Sequence, residues 1–299
     1  MLILETISLP TLWGGQKLYS YGGDTNIEKL GQLYTIAADD ELSNRILNGK
    51  YKGDNLRDVY RKNPQIFGEN APIEFPLLIG FVDARENLSL QVHPNNEYCK
   101  QYEGKEMGKC ESWIFIEPPT SGEIYNGCKT KTRELVQENI HTGNWDNIID
   151  TLPVKKDQYV YVEAGTLHAL TAGSLVYEIQ QSTNLTYRFY DYDRVDKLGN
   201  KRPLHLDKAL DVLDTEKKSL AENIQIGERR EEEYYNIMLY NIEGQFKNNS
   251  DTYFCITVLE GSTTLDEVKI CKGMSFILFS GEEIYVEDKL KCVIASSKI

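Results

Sequence analysis

Beyond Tyr234 the chain is written in short apolar runs of strand length: YYNIMLYNI, YFCITVLEG, EVKICKGMSFILFSG, EEIYVED and KCVIASS. Glycines and charged turns part them at roughly even spacing. That rhythm suits an antiparallel sandwich or barrel. Upstream, FPLLIGFVDARENLSLQVHP offers two more β-type runs, 75–82 and 88–93, and QYVYVEAGTLHAL and SLVYEIQQSTNLTYRFYDY continue the pattern. Helical spacing is confined to three places. GDNLRDVYRKNPQIFG carries Asp54 as a cap candidate, Leu56, Val59 and Tyr60 on one face, and Pro64 as a stop. KTRELVQENIHTGNWDNIIDTL reads as a pair of short helices broken at Gly143, and LHLDKALDVLD over 204–214 as another. The polar stretch TEKKSLAENIQIGERREEE, 215–233, is the best linker candidate. The expected fold class is therefore mainly β.

With 299 residues, the length suits about two domains at ~150 residues each. Lys and Arg number 33 against 46 Asp and Glu, a formal charge of −13. That balance argues against a general binder of nucleic acid or of anionic membrane, either of which asks for positive charge. It leaves room for a small anion, which feels only its own pocket. FPLLIGFV is far short of the ~20 apolar residues of a membrane helix. MLILETISLPTLWGG has neither the basic nor the long apolar region of a secretory leader. Six cysteines with no CxxC pair suit reduced thiols and a cytoplasmic setting. Glycine-rich phosphate loops are absent.

Only four histidines occur, His93, His141, His168 and His205. In Leu90-Gln91-Val92-His93-Pro94, period two puts Gln91 and His93 on one strand face, where an amide oxygen and an imidazole can converge on a cation. An ordinary strand end with one polar face reads the same way. Glu111 opens the run WIFIE, with Lys109 two residues earlier on the same face; an exposed Lys/Glu pair is the alternative. His168 follows a Gly165 turn at the start of a strand. Gln91, His93, Glu111 and His168 together make an N/O ligand set suited to Zn²⁺ or a similar metal. Further on, Glu178 and Gln180 share a strand face, and Arg188 sits between aromatics that can hold a guanidinium for a phosphate or oxyanion. Asp191 and Asp193 offer themselves as simple partners for it.

WGG near the start, LSLQVHP, GKCES, the Gly-x-x-His segment and TYRFYDYDR, in this order, resemble the class I mannose-6-phosphate isomerases, in their short bacterial form. The resemblance runs along essentially the whole chain and is strongest over 76–208. It implies a cupin-type (jelly-roll) β-barrel catalytic domain over 1–215 with a helical insertion around 95–151. A smaller C-terminal β-barrel or sandwich over 216–299 completes it. It implies one Zn²⁺ per chain, bound by Gln91, His93, Glu111 and His168. Lys109, Glu178 and Arg188 are then the catalytic residues, and Arg188, Lys109 and Gln180 bind substrate. The expected activity is interconversion of D-mannose 6-phosphate and D-fructose 6-phosphate through an enediol(ate), with Glu178 as base and Lys109 as the alternative. A sugar phosphate is the expected partner, without nucleic acid or membrane, for a monomer or weak homodimer. Three positions depart from the family pattern: Gly80 stands where a Lys is usual, Gln32 replaces a Glu, and Glu163 replaces a Pro. Those departures keep open a non-catalytic sugar-binding cupin or an isomerase of altered sugar specificity. A metal-dependent oxygenase of the same barrel class fits less well, because Gln91 and Arg188 depart from a two-His-one-carboxylate face.

Overall fold

The computed structural model describes residues 1–298 and divides into two compact units. One comprises Met1–Leu9, Gln16–Phe81 and Ile224–Ile299; the other comprises Pro10–Gly15 and Val82–Asn223. The sequence places a break at 215/216. The structure places it at 223/224 and groups residues 16–81 with the C-terminal segment.

In the first unit a six-stranded antiparallel sheet runs in the order Leu2–Leu4, Ser275–Leu278, Phe254–Glu260, Glu283–Ser297, Tyr235–Lys247, Arg229–Glu231. The N-terminal strand enters it by pairing Leu2 with Ile277. Its core is apolar and includes Ile3, Ile256, Val258, Phe276 and Ile294. EEIYVED and KCVIASS, read from sequence as separate runs, form one 15-residue strand. The register slips between Ile242, opposite Leu290, and Gly244, opposite Val286, and pairing with Tyr235–Lys247 resumes on both sides of this bulge. The helix expected after Asp54 spans Leu56–Lys62, with Asn55 rather than Asp54 at its N-cap.

The second unit holds two strand layers. One is a five-stranded sheet in the order Tyr187–Tyr190, Leu90–Val92, His168–Ala169, Glu123–Cys128, Ile149–Pro153. In the other, Glu111–Glu117 lies between Gln158–Val162 and Leu175–Gln181, and Ala221–Asn223 pairs outside Gln158–Val162. Trp113, Phe115, Val160 and Val176 pack with Ile124, Leu152 and Leu170 between the layers. On its outer face the five-stranded sheet packs Leu90, Val92, Leu167, Tyr187 and Phe189 against Val136, Ile148 and Ala209. Those three come from the helices Arg133–Thr142, Trp145–Ile148 and Leu206–Val212.

The expected helical insertion around 95–151 is thus interrupted by two strands, 111–117 and 123–128. The polar stretch 215–233 is not an open linker, because it supplies the edge strands Ala221–Asn223 and Arg229–Glu231. Among the described residues no helix is long and apolar enough to cross a membrane.

Candidate functional site

Cross-strand register assembles the site. In the five-stranded sheet Arg188 lies opposite Gln91, Gln91 opposite His168, and His168 opposite Asn126. Residues directly opposite share a face. Leu90 and Val92 belong to the outer core, so this row faces inward. In the other layer Gln180 lies opposite Glu111, and Glu178 opposite Trp113.

Two close backbone approaches hold the row to its neighbours. Lys109 N–H donates to the carbonyl of Pro94 at 2.9 Å, and a Cβ on Gly108 would collide with the backbone of Pro94 and Asn95. Only glycine permits that contact, which pins the GKCES segment beside His93. Gly165 adopts φ +90° and donates its N–H to the His93 carbonyl at 2.9 Å, tying the Gly-x-x-His turn to the same strand.

His93, Glu111 and His168 are buried, with potential ligand atoms all within 4.8 Å of one another. His93 Nδ1 lies 2.8 Å from the Leu185 carbonyl, and His168 Nδ1 2.8 Å from the Thr166 carbonyl. A carbonyl only accepts, so each Nδ1 carries the proton and each Nε2 presents a lone pair. Glu111 Oε1 is 3.1 Å from His168 Nε2 and 3.7 Å from His93 Nε2. Among the described residues His93 Nε2 and Glu111 Oε1 have no hydrogen-bond partner. Buried electron-pair donors that face one another repel unless a cation lies among them. Gln91 joins the group, its Nε2 3.3 Å from His168 Nε2 and its Oε1 accepting from Ser89 Oγ at 3.2 Å. Two imidazoles and a carboxylate suit a divalent transition metal, the Nδ1–carbonyl bonds orient the rings for it, and Gln91 can join them only with its amide plane turned so that Oε1 faces inward.

Lys109 is 7% exposed and its Nζ lies 2.9 Å from Glu111 Oε2, which excludes an exposed surface pair. Burial pulls His93 down to about 3, helped by the Lys109 charge, so the ring is neutral as a ligand must be. Burial works against the ionised form of Glu111, yet Lys109 and the two imidazoles together hold it well below the carboxylate range. Glu178 goes the other way. Burial, and then the Glu111 charge, push it up to about 7, although Trp113 Nε1 donates to its Oε1 at 2.9 Å.

Gln180 faces the same interior, but its amide N–H groups go to the carbonyls of Thr183, at 2.6 Å, and Gln181. Arg188 lies between the buried Tyr187 and Phe189, and its buried Nε has no partner among the described residues. Asp191 and Asp193 do not neutralise it: Asp191 binds Arg194 and Arg202, and Asp193 binds Lys201. His141 is exposed on its helix, and the backbone N–H of His205 donates to the Arg188 carbonyl. Cys110 points away from the ligands and accepts from Ala164 N–H, as its extended position between Lys109 and Glu111 predicts. Sequence reading passed over Ser89 and Trp113. The signal was there, since each lies two residues from a ligand and so on the same strand face.

Residues 13–147 match a family model described as phosphomannose isomerase type I, catalytic domain. A probable mannose-6-phosphate isomerase of Bacillus subtilis is 35% identical over 87% of this chain and 86% of its own. A mannose-6-phosphate isomerase of Streptococcus mutans is 33% identical over 93% of this chain and 92% of its own. The crystal structure of the Bacillus subtilis mannose 6-phosphate isomerase superposes with a TM-score of 0.88 at 28% identity, covering 100% of this chain and 99% of that one.

Proposed function

The chain belongs to the type I phosphomannose isomerases, and from that premise we propose that it interconverts mannose 6-phosphate and fructose 6-phosphate at a Zn²⁺ site. Gln91, His93, Glu111 and His168 would hold one ion per chain. The observation that carries this reading is the set of buried, unprotonated Nε2 and Oε1 atoms turned toward one another, within reach of a buried Lys and a second carboxyl group.

An aldose–ketose interconversion opens the sugar ring and moves a proton between C1 and C2 through a cis-enediol(ate). Zn²⁺ supplies Lewis acidity that stabilises charge developing on the neighbouring oxygens. Glu178 carries the proton. Its Oε1 is fixed by the Trp113 N–H, and burial together with the Glu111 charge raises its proton affinity above the ordinary carboxylate range, as a proton carrier needs. Lys109 is the weaker choice of base, because its Nζ is committed to Glu111. Its charge serves to hold that ligand ionised. Arg188 offers its guanidinium to the anionic part of the substrate. Gln180 takes a supporting place on the wall, since its N–H groups are spent on backbone. Six free cysteines are consistent with work in the reducing cytoplasm, as a monomer or weak homodimer.

The test is metal removal. Purified protein converts mannose 6-phosphate to fructose 6-phosphate; a chelator abolishes the conversion and added Zn²⁺ restores it. Bound zinc without conversion of this sugar phosphate rejects the substrate.

A further inference from the structure

Arg188 is one of three guanidinium groups on the same wall, and the other two explain why it is unpaired. The pairing of Tyr187–Tyr190 with Leu90–Val92 slips between Arg188 and Tyr190, so that Tyr190 lies opposite Leu90. At this bulge Phe189 joins the outer core, and Tyr190 stacks on Trp145 of the same outer layer at 4.7 Å. Two consecutive residues thus face outward, which returns Asp191 to the face of Arg188. The returning segment runs antiparallel beside it. His205 N–H donates to the Arg188 carbonyl at 2.9 Å, and Arg188 N–H to His205 Nδ1 at 3.2 Å. Three residues earlier, Arg202 meets Asp191 with Nε on Oδ2 at 2.8 Å and Nη2 on Oδ1 at 2.5 Å. Arg194 completes the group: Nη2 binds the same carboxylate, and Nη1 donates to the Asn87 carbonyl at 2.5 Å. Asp191 therefore lies level with Ser89, about 7 Å along the strand direction from Gln91, and Arg194 reaches beyond it to Asn87.

The charges do not balance. One carboxylate, Asp191, 4% exposed, serves both Arg194 and Arg202, while Arg188 has no carboxylate of its own. The wall carries three positive charges against one negative charge. Arg188 is held below its ordinary value by burial and then by repulsion from Arg202. Evolution of a fold does not favour partly buried, mutually repelling guanidinium groups unless an anion completes them. Arg194 has both terminal nitrogens occupied. Arg202 keeps Nη1 unpartnered among the described residues, in a planar fork fixed by the bidentate bond to Asp191.

We infer that Arg202, positioned by Asp191, acts with Arg188 as the binding site for the phosphate dianion of the substrate. This rests on the sugar-phosphate reading above and adds to it a residue and an orientation. The carbons that react lie toward the ligand row at Gln91 and His168, and the phosphate lies toward Asp191. Asp191 is a positioning residue that fixes the plane of the Arg202 fork.

The experiment compares wild type with Arg202→Gln and Arg202→Lys, each first checked for bound zinc. Two constants are read, KM for mannose 6-phosphate and the inhibition constant of inorganic phosphate. Loss of a charge-assisted contact raises both by about tenfold or more in Arg202→Gln, and by a smaller factor in Arg202→Lys, which keeps the charge but not the fork. If Arg202→Gln fails to hold zinc, Arg202→Lys decides alone: a several-fold rise in both constants is expected. Constants within twofold of wild type overturn the assignment. If wild type isomerises no sugar phosphate, the functional reading falls separately. Calorimetric titration of inorganic phosphate into wild type and Arg202→Lys still decides whether Arg202 binds the anion: weaker binding in the variant supports it, and equal binding refutes it.

Discussion

Glu178 is the residue whose chemistry departs furthest from its behaviour in water. Its shift has a sign that kinetics can read. Burial and the neighbouring Glu111 charge raise it from 4.5 to about 7, while the Trp113 N–H and the Lys109 charge oppose them. A base works only when ionised, so kcat/KM falls as pH drops through this value. A cation at the ligand row draws the value down. The acid limb is therefore expected no higher than about 7. Trp113→Phe removes the one hydrogen bond that favours the charged form, so the acid limb moves to higher pH while zinc content stays constant. A pH–rate profile checks this, and an unmoved limb would show that the proton carrier lies elsewhere. At this scale the ligands were legible, because a strand's period of two announces which side chains share a face. The partners of Arg188 were not. Asp191 and Asp193 are near it in sequence, yet the bulge and the return of residues 202–205 hand Asp191 to two other arginines.

At the scale of elements, glycines decide how closely strands approach. Gly80 is the position where the sequence resemblance leads one to expect a Lys. A Cβ there would sit 2.6 Å from the Leu33 carbonyl oxygen and 3.1 Å from Tyr34 Cα, both backbone atoms of the Leu30–Ile36 strand. The position has no space for a side chain of any kind. Gly80→Lys is therefore expected to lower stability by about 1–3 kcal/mol through overpacking, with no gain in kcat/KM. Thermal unfolding and steady-state kinetics together check this; a stable variant with higher kcat/KM would contradict it. The same logic marks what could be read in advance. Helices came through where apolar spacing was clean, as at Leu56–Lys62 and Leu206–Val212. The fused strand Glu283–Ser297 and the edge strand Arg229–Glu231 did not. Their polar residues pair through backbone groups, which composition does not reveal. The grouping of residues 16–81 with the C-terminal segment was equally hidden. It depends on long-range packing such as Tyr60, Phe67 and Phe75 around Tyr253, with no local signal.

Across the whole molecule the charge of −13 and the site pull in opposite directions. Locally, Lys109, Arg188, Arg194 and Arg202 concentrate positive charge, and a metal ion held by the proposed ligands would add more. All four proposed ligands, Gln91, His93, Glu111 and His168, belong to the unit 82–223 with 10–15. So do all three tryptophans, Trp13, Trp113 and Trp145. Tryptophan emission thus reports on the surroundings of the proposed ligands as the protein unfolds. A ligand bound only by the folded state stabilises it, by about 4 kcal/mol when free zinc is a thousandfold above Kd. For a unit of this size that corresponds to a Tm difference of roughly 10 °C. Chelation leaves His93 Nε2 and Glu111 Oε1 buried without a partner, so the stabilisation is lost rather than replaced. The tryptophan-monitored midpoint is therefore expected to fall by that amount on chelation and to recover with Zn²⁺. A midpoint indifferent to chelator would mean that these four side chains hold no ion in the folded protein, whatever activity the preparation shows.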